Sequence, residues 1–337
     1  MKKSYYLFNP GRLSRKDNTL KFVPVDEEGR EGQARHIPVE QVSNLYVFGS
    51  LDTNSALYNF LGKAGIGVHF FDYYEHYTGS FMPKEYLLAG KLHIQQSTHY
   101  LDKKKRIFLA QSFVDGGAFN MLKTLRYYGN REKDVEASVL AIEELISKIP
   151  MTTQVDELMG IEGNIRQAYY ASFTEIAPKF PLEQRIKQPP TDPMNALISF
   201  CNMLCYTACL DQIYHTQLDP TISYLHEPGV RRFSLALDLA EIFKPILVDR
   251  MIFSMVNKNI IQPKHFSDEI NACLLKESGR KLVLKTWDEK LSTTIKHRGL
   301  GRSVSYKHLI KLECYKLTKH LMGIDKDKVY QPFKVWW

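Results

Sequence analysis

Ile66-Gly67-Val68-His69-Phe70-Phe71, followed by Tyr77-Thr78-Gly79-Ser80-Phe81-Met82 across a turn near Tyr74-Glu75, is the last stretch of this chain that reads as strands. The first run is short and apolar, as a buried strand requires, and the second returns beside it. From about Lys84 onward the apolar residues leave a period of two and take up one near 3.6. That change decides the fold class. It predicts an α+β protein, with a small β-rich, sandwich-like N-terminal domain over residues 1–85 and a larger all-α domain over 86–337.

Upstream of that stretch, Ser4–Phe8 runs into Asn9-Pro10-Gly11, and Thr19–Val23 follows the turn pair Asp17-Asn18. Arg35–Pro38 is a short extended piece, and Val42–Phe48 stops at Gly49-Ser50. These are short strands punctuated by turn residues. Thr53–Lys63 has helical spacing, with Leu57, Phe60 and Leu61 on one side. Downstream, Leu87–Tyr127 reads as helix with Gly90, Gly116 and Gly117 as its breaks. Asp134–Ile149, Ile165–Ile176, Asn195–Asp211, Ser234–Asn257 and Ser303–Met322 also carry helical stripes, and the proline-rich Pro178–Pro193 is a loop.

Composition bounds the function. The chain has 337 residues, 44% hydrophobic and 24% charged, which excludes a disordered or collagen-like protein. No run approaches the ~20 apolar residues of a membrane span, and the opening residues are too short and aromatic for a secretory signal. Five cysteines make no disulfide framework, so a cytoplasmic protein is expected. Cys201, Cys205 and Cys209 share one helix face and read as small buried thiols. The net charge is +8, and Lys276–His320 alone, with twelve basic and four acidic residues, holds all of it. Such a segment predicts a polyanionic partner, nucleic acid or acidic lipid, with a merely solvated face as the alternative. Its candidate DNA contacts are Arg298 and Arg302 in a glycine-containing loop and Lys307 and Lys311 on the next helix, with Lys316 and Lys319 on the same polar sides. Lys103-Lys104-Lys105-Arg106 is a second candidate path.

Nucleotide-loop, dinucleotide, zinc-protease and C-x-x-C patterns are all missing. Three other features carry chemistry. Glu162 stands between Gly160 and Gly163, near the expected start of a helix, where it could also serve the helix dipole. His226 lies in the turn Tyr224–Gly229, where a structural histidine is the alternative. Asp238 and Glu241 lie at i, i+3 in the apolar helix Ser234–Pro245, where two like charges require a compensating cation. The candidate counter-charges are Arg231, Arg232 and Arg250, and Arg231 also counts among the DNA-facing cations. Pro245 is expected to kink or loosen that helix. Carboxylates with one imidazole suit Mg²⁺ or Mn²⁺, and beside a polyanion-binding segment they point to phosphoryl transfer on nucleic acid.

An ordered set of motifs resembles the CRISPR-associated spacer-acquisition integrase and endonuclease, the Cas-one family, in its stand-alone form. Gly11-Arg12-Leu13, Leu45-Tyr46-Val47-Phe48-Gly49 and Gly67-Val68-His69-Phe70-Phe71 resemble its β domain. Met159-Gly160-Ile161-Glu162-Gly163, Asp192-Pro193-Met194-Asn195-Ala196-Leu197, Leu225-His226-Glu227-Pro228 and Leu235–Pro245 resemble its helical domain. The resemblance implies metal ligands at Glu162, His226 and Glu241, with Asp238 in support. It also implies a homodimer built through the β domains, and two such dimers flanking a dimer of the smaller Cas-two protein. The implied reaction joins the 3′ ends of a short double-stranded DNA fragment to a repeat array. A repair nuclease with no integration role and a non-catalytic DNA-clamping scaffold are the alternatives.

Overall fold

The computed structural model describes residues 2–26, 28–83, 89–230, 232–269, 272–297, 299–324 and 329–336, with backbone only at 268 and 269. The chain divides into two compact units, Met1–Leu88 and Ala89–Trp337.

The first unit holds strands β1 (Lys3–Leu7), β2 (Gly11–Lys16), β3 (Thr19–Pro24), β4 (Arg35–Pro38), β5 (Val42–Val47) and β6 (Leu51–Asp52), helix α1 (Ser55–Ala64), and strands β7 (Gly67–Phe71) and β8 (Tyr77–Phe81). They form two four-stranded sheets, ordered β1-β5-β7-β8 and β4-β3-β2-β6. Both contribute to one core, with Leu7, Leu45, Val47 and Val68 from the first sheet and Leu13, Leu20 and Phe22 from the second, closed by Leu57 and Leu61 of α1. The sandwich-like expectation stands. Strand β5 alternates only loosely because it is central and parallel to both neighbours, so both its faces are covered. Asp17 adopts the left-handed conformation in the β2–β3 turn, and Asn54 caps α1 by accepting the Leu57 N–H at 3.0 Å.

The second unit is mostly helical. Its helices are α2 (Gly90–Leu101), α3 (Lys103–Gly129), α4 (Glu136–Lys148), α5 (Val155–Ala171), α6 (Phe173–Ile176), α7 (Pro193–Tyr214), α8 (Ser234–Lys244), α9 (Arg250–Asn257), α10 (Glu277–Ser292) and α11 (Tyr306–Leu321). It is not purely α: β9 (Phe266–Glu269) with β10 (Ala272–Leu275), and β11 (Thr294–Lys296) with β12 (Ser303–Ser305), form two antiparallel hairpins. Ser303–Ser305 is therefore strand rather than the first turn of the last helix. Helix α7 is long and apolar enough to cross a membrane by length and composition, yet 78% of that window is buried in the unit, and Cys201, Cys205 and Cys209 all lie inside.

Three local outcomes place the site. The expected helix Leu87–Tyr127 breaks at Asp102, whose carboxylate caps α3 through the N–H groups of Lys104 and Lys105. It does not break at Gly116 or Gly117, which are the packing surface of α3. A Cβ on Gly117 would meet the Glu241 carbonyl oxygen at 2.9 Å, and one on Gly116 would meet Pro332 at 2.7 Å. The expected loosening at Pro245 is a π turn, Pro245–Asp249, linking α8 to α9. Proline has no N–H for the i−4 carbonyl, and α3 answers from outside: Asn120 Nδ2 donates to the Ile242 carbonyl at 2.9 Å and Thr124 Oγ1 to that of Pro245 at 3.5 Å. The third outcome is a correction. Helix α5 begins at Val155 behind a Gln154–Glu157 capping box, so Glu162 lies mid-helix and its reading as a helix-start acid does not hold.

Candidate metal centre

Glu162 projects from α5 and Glu241 from α8, and both converge on Arg166, one turn after Glu162. Arg166 Nε donates to Glu162 Oε1 at 2.5 Å, and its Nη2 pairs with Glu241 Oε2. The other Glu241 oxygen accepts from Lys244 Nζ at 2.5 Å. These partners correct the sequence expectation for the counter-charge. Arg250 lies over the Tyr127 ring instead, Arg232 makes no ion pair with either acid, and Arg231 lies outside the described residues.

Asp238 is fully buried and needs no arginine. Its Oδ2 accepts the backbone N–H groups of Tyr224 and Leu225 at 2.7 and 3.0 Å, and its Oδ1 accepts that of His226 at 2.9 Å. Oδ1 also lies 2.8 Å from His226 Nδ1. A carboxylate only accepts, so Nδ1 carries the hydrogen, and in the neutral ring Nε2 is then the nitrogen with the lone pair, the arrangement that fixes a metal-binding imidazole. From the other side, Arg106 donates to the Tyr224 carbonyl at 3.1 Å and to Glu227 Oε2 at 2.6 Å, and Tyr100 donates to the other Glu227 oxygen. The turn carrying His226 is thus held at both ends.

Charge is balanced inside the cluster. Burial works to raise the Glu162 carboxyl, but the Arg166 guanidinium, with Lys244 and His226, holds it below the usual carboxylate range. Burial and the repulsion of Arg166 push Lys244 down to about 8. Asp249, buried in the π turn, is pushed up to about 7 by burial, against the pull of Arg166.

Oxygen donors from two helices that already meet one cation, with an imidazole in electrostatic reach, form a donor set suited to Mg²⁺ or Mn²⁺. Among the described residues, no three His, Cys, Asp or Glu side chains stand together as a closed metal cluster. The two glutamates are drawn onto Arg166 instead. Sequence reasoning did not single out Arg166, Lys244 or Asp249, and it placed Arg106 on a DNA path rather than against the His226 turn, although the i, i+4 and i, i+3 spacings of Arg166 and Lys244 from Glu162 and Glu241 were there to be read.

The basic segment is less uniform than its charge count. Lys307 turns inward to the buried Asp211 at 3.2 Å and Lys316 to the buried Glu313 at 2.6 Å, so neither is left on a free polar side. Lys311 lies 5.8 Å from the Tyr315 ring centroid, Arg302 and Lys319 are exposed, and Arg298 lies outside the described residues.

Fold and site together define a two-part α+β protein whose helical part holds two carboxylates on one arginine and an imidazole fixed by a third carboxylate. The chain belongs to the family of CRISPR associated protein Cas1, whose pattern matches residues 5–289. It is 47% identical to a CRISPR-associated endonuclease Cas1 of Thermodesulfovibrio yellowstonii over 99% of this chain and 100% of that one. A CAS1 protein structure from Thermotoga maritima superposes with a TM-score of 0.85 at 38% identity, covering 97% of this chain and 99% of the other. A casposase bound to integration product shares the fold with a TM-score of 0.88 at 19% identity, over 99% and 94% of the two chains.

Proposed function

We propose that this chain is a metal-dependent DNA endonuclease and integrase that inserts short foreign DNA fragments into a CRISPR array by attack of a DNA 3′-hydroxyl. The observation that supports it is the convergence of Glu162 and Glu241 on one cation, in electrostatic reach of the Asp238-held imidazole of His226, in a chain 47% identical over its length to a protein named as an endonuclease of this family. Glu162, Glu241 and His226 Nε2 would hold Mg²⁺ or Mn²⁺. When bound, such an ion polarises a phosphodiester and stabilises charge on the attacking or leaving oxygen. Asp238 keeps the imidazole in one tautomer and orientation. Arg106 and Glu227 hold the turn that delivers it. Exposed cations such as Arg302 and Lys319 attract the DNA backbone without reading its sequence. The working assembly is two homodimers flanking a dimer of the smaller Cas2 protein, as the family resemblance implies.

The test is strand joining of a short duplex into an array-bearing plasmid, with the Cas2 partner and Mn²⁺. Glu162→Ala and His226→Ala should each abolish joining and cleavage while leaving the unfolding transition cooperative. Near-wild-type joining by Glu162→Ala would refute the site. Cleavage without any joining would favour a repair nuclease, and wild-type inactivity in every divalent metal a scaffold.

A further inference from the structure

Neither oxygen of Glu241 is available as it stands. Oε1 is held by Lys244, and Oε2 faces the Arg166 guanidinium and is shut off from solvent. Arg166 also holds Glu162 Oε1. A divalent ion at this place would draw on oxygens of the same two carboxylates, and a guanidinium seated on both competes with it for charge and for lone pairs. Arginine cannot make room by losing a proton. It has to move as a cation, and a buried cation moves only towards another anion. The Asp249 carboxyl can supply that anion once the guanidinium reaches it. It is buried in the π turn, interacts electrostatically with Arg166, and its Oδ2 is enclosed with no hydrogen-bond partner among the described residues.

We propose that Arg166 is the resident counter-cation of the metal centre: it neutralises Glu162 and Glu241 while no divalent ion is bound, and releases them by swinging to Asp249. It is a positioning residue that competes with the ion. This rests on the metal-centre reading of the preceding section. It also explains why the glutamates cluster on an arginine rather than with His226, and why a carboxylate lies buried in the π turn within electrostatic reach of that arginine.

The test is calorimetric titration of Mn²⁺ into the full chain, without DNA, for wild type, Glu162→Ala, Arg166→Met and Asp249→Asn. Wild type should bind Mn²⁺ and Glu162→Ala should not. Arg166→Met should bind on the order of tenfold tighter, the usual size of a coupling between mutually exclusive ligands. Asp249→Asn, equal in shape but neutral, should bind several-fold weaker, because Arg166 has lost its destination. Absence of Glu162-dependent binding in the wild type overturns the metal-centre reading itself. Glu162-dependent binding that Arg166→Met leaves equal or weaker, or that Asp249→Asn leaves equal or tighter, overturns the role of Arg166 alone. Should Arg166→Met fail to fold, the Asp249→Asn titration decides.

Discussion

Asp238 holds His226 twice, accepting its backbone N–H at 2.9 Å and lying 2.8 Å from its Nδ1 through the same oxygen. With the Tyr224 and Leu225 N–H groups on the other oxygen, one buried carboxylate both folds the turn and aims the ring. Sequence alone offered Asp238 an arginine as its counter-charge; the structure gives it His226 and the turn that carries it instead.

Asp238→Asn should therefore act on stability and on chemistry together. An amide sets an NH₂ group against N–H donors, and losing charged hydrogen bonds of this kind costs about 1.5–3 kcal/mol each. Thermal unfolding should show a clear fall in Tm, and strand joining should fall further than DNA affinity measured by filter binding. A variant with wild-type joining and only a lowered Tm would reduce Asp238 to a structural role.

Gly117→Ala tests the fit of α3 against α8. The added Cβ would stand 2.9 Å from the Glu241 carbonyl oxygen, a backbone atom that cannot step aside without moving Glu241 itself. Overpacking of this sort costs about 1–3 kcal/mol. We expect a lower Tm and weaker Mn²⁺ binding, whereas Gly160→Ala and Gly163→Ala, whose added Cβ would meet nothing within 4 Å, should leave Tm equal or raised.

The buried Asp249 makes stability depend on pH. Its pKa is raised from 3.8 in the unfolded chain to about 7 in the fold, so its contribution to stability is present below about 4 and lost as pH rises towards 7. Asp249→Asn removes that slope. Relative to wild type, the variant should gain stability steadily across this window and stay ahead above it, by a few kcal/mol. Denaturant unfolding at a series of pH values measures it, and a variant whose difference from wild type is independent of pH would contradict the burial argument.

The lysines of the basic segment should separate into two kinds. Lys307→Ala takes a cation from the buried Asp211, so it should lower Tm by destabilising the fold, by about 1–3 kcal/mol, with the salt dependence of DNA binding unchanged. Arg302→Ala, at an exposed position, should leave Tm alone and flatten log K against log salt by about 0.9 for one lost duplex phosphate contact. A salt slope that both variants leave unchanged would move the DNA path to the Lys103–Arg106 end of α3.

Much of the fold was legible because it rests on local pattern. The period change near Lys84, the turn at Asp17-Asn18 and the loosening at Pro245 all follow from backbone chemistry within a few residues. The misreadings have a common cause. Gly116 and Gly117 read as breaks, and Gly160 and Gly163 as flanks of a helix start, because glycine is a poor helix former. The first pair lies in a helix packed against α8 and the segment at Pro332, and that contact has no local signature. The hairpins β9–β10 and β11–β12 escaped notice for a similar reason, being strands of three or four residues, too short to show a period.

The sequence by itself determined which groups are present and where each can stand along the chain: an acid on one helix, an imidazole in a turn, two acids one turn apart on an apolar helix, and a basic segment near the end. Only the tertiary structure decided how the charges pair. Asp238 and Glu241 are neighbours in sequence with the same charge, yet one is satisfied by three backbone N–H groups and a histidine and the other by Arg166 and Lys244. Lys307, counted from sequence as a DNA contact, faces Asp211. The physical reason is that the cost of burying a charge depends on which partners the fold brings within hydrogen-bond reach, and the turn at 224–226, α5, α7, α8 and α11, which hold these groups, are spread along the chain.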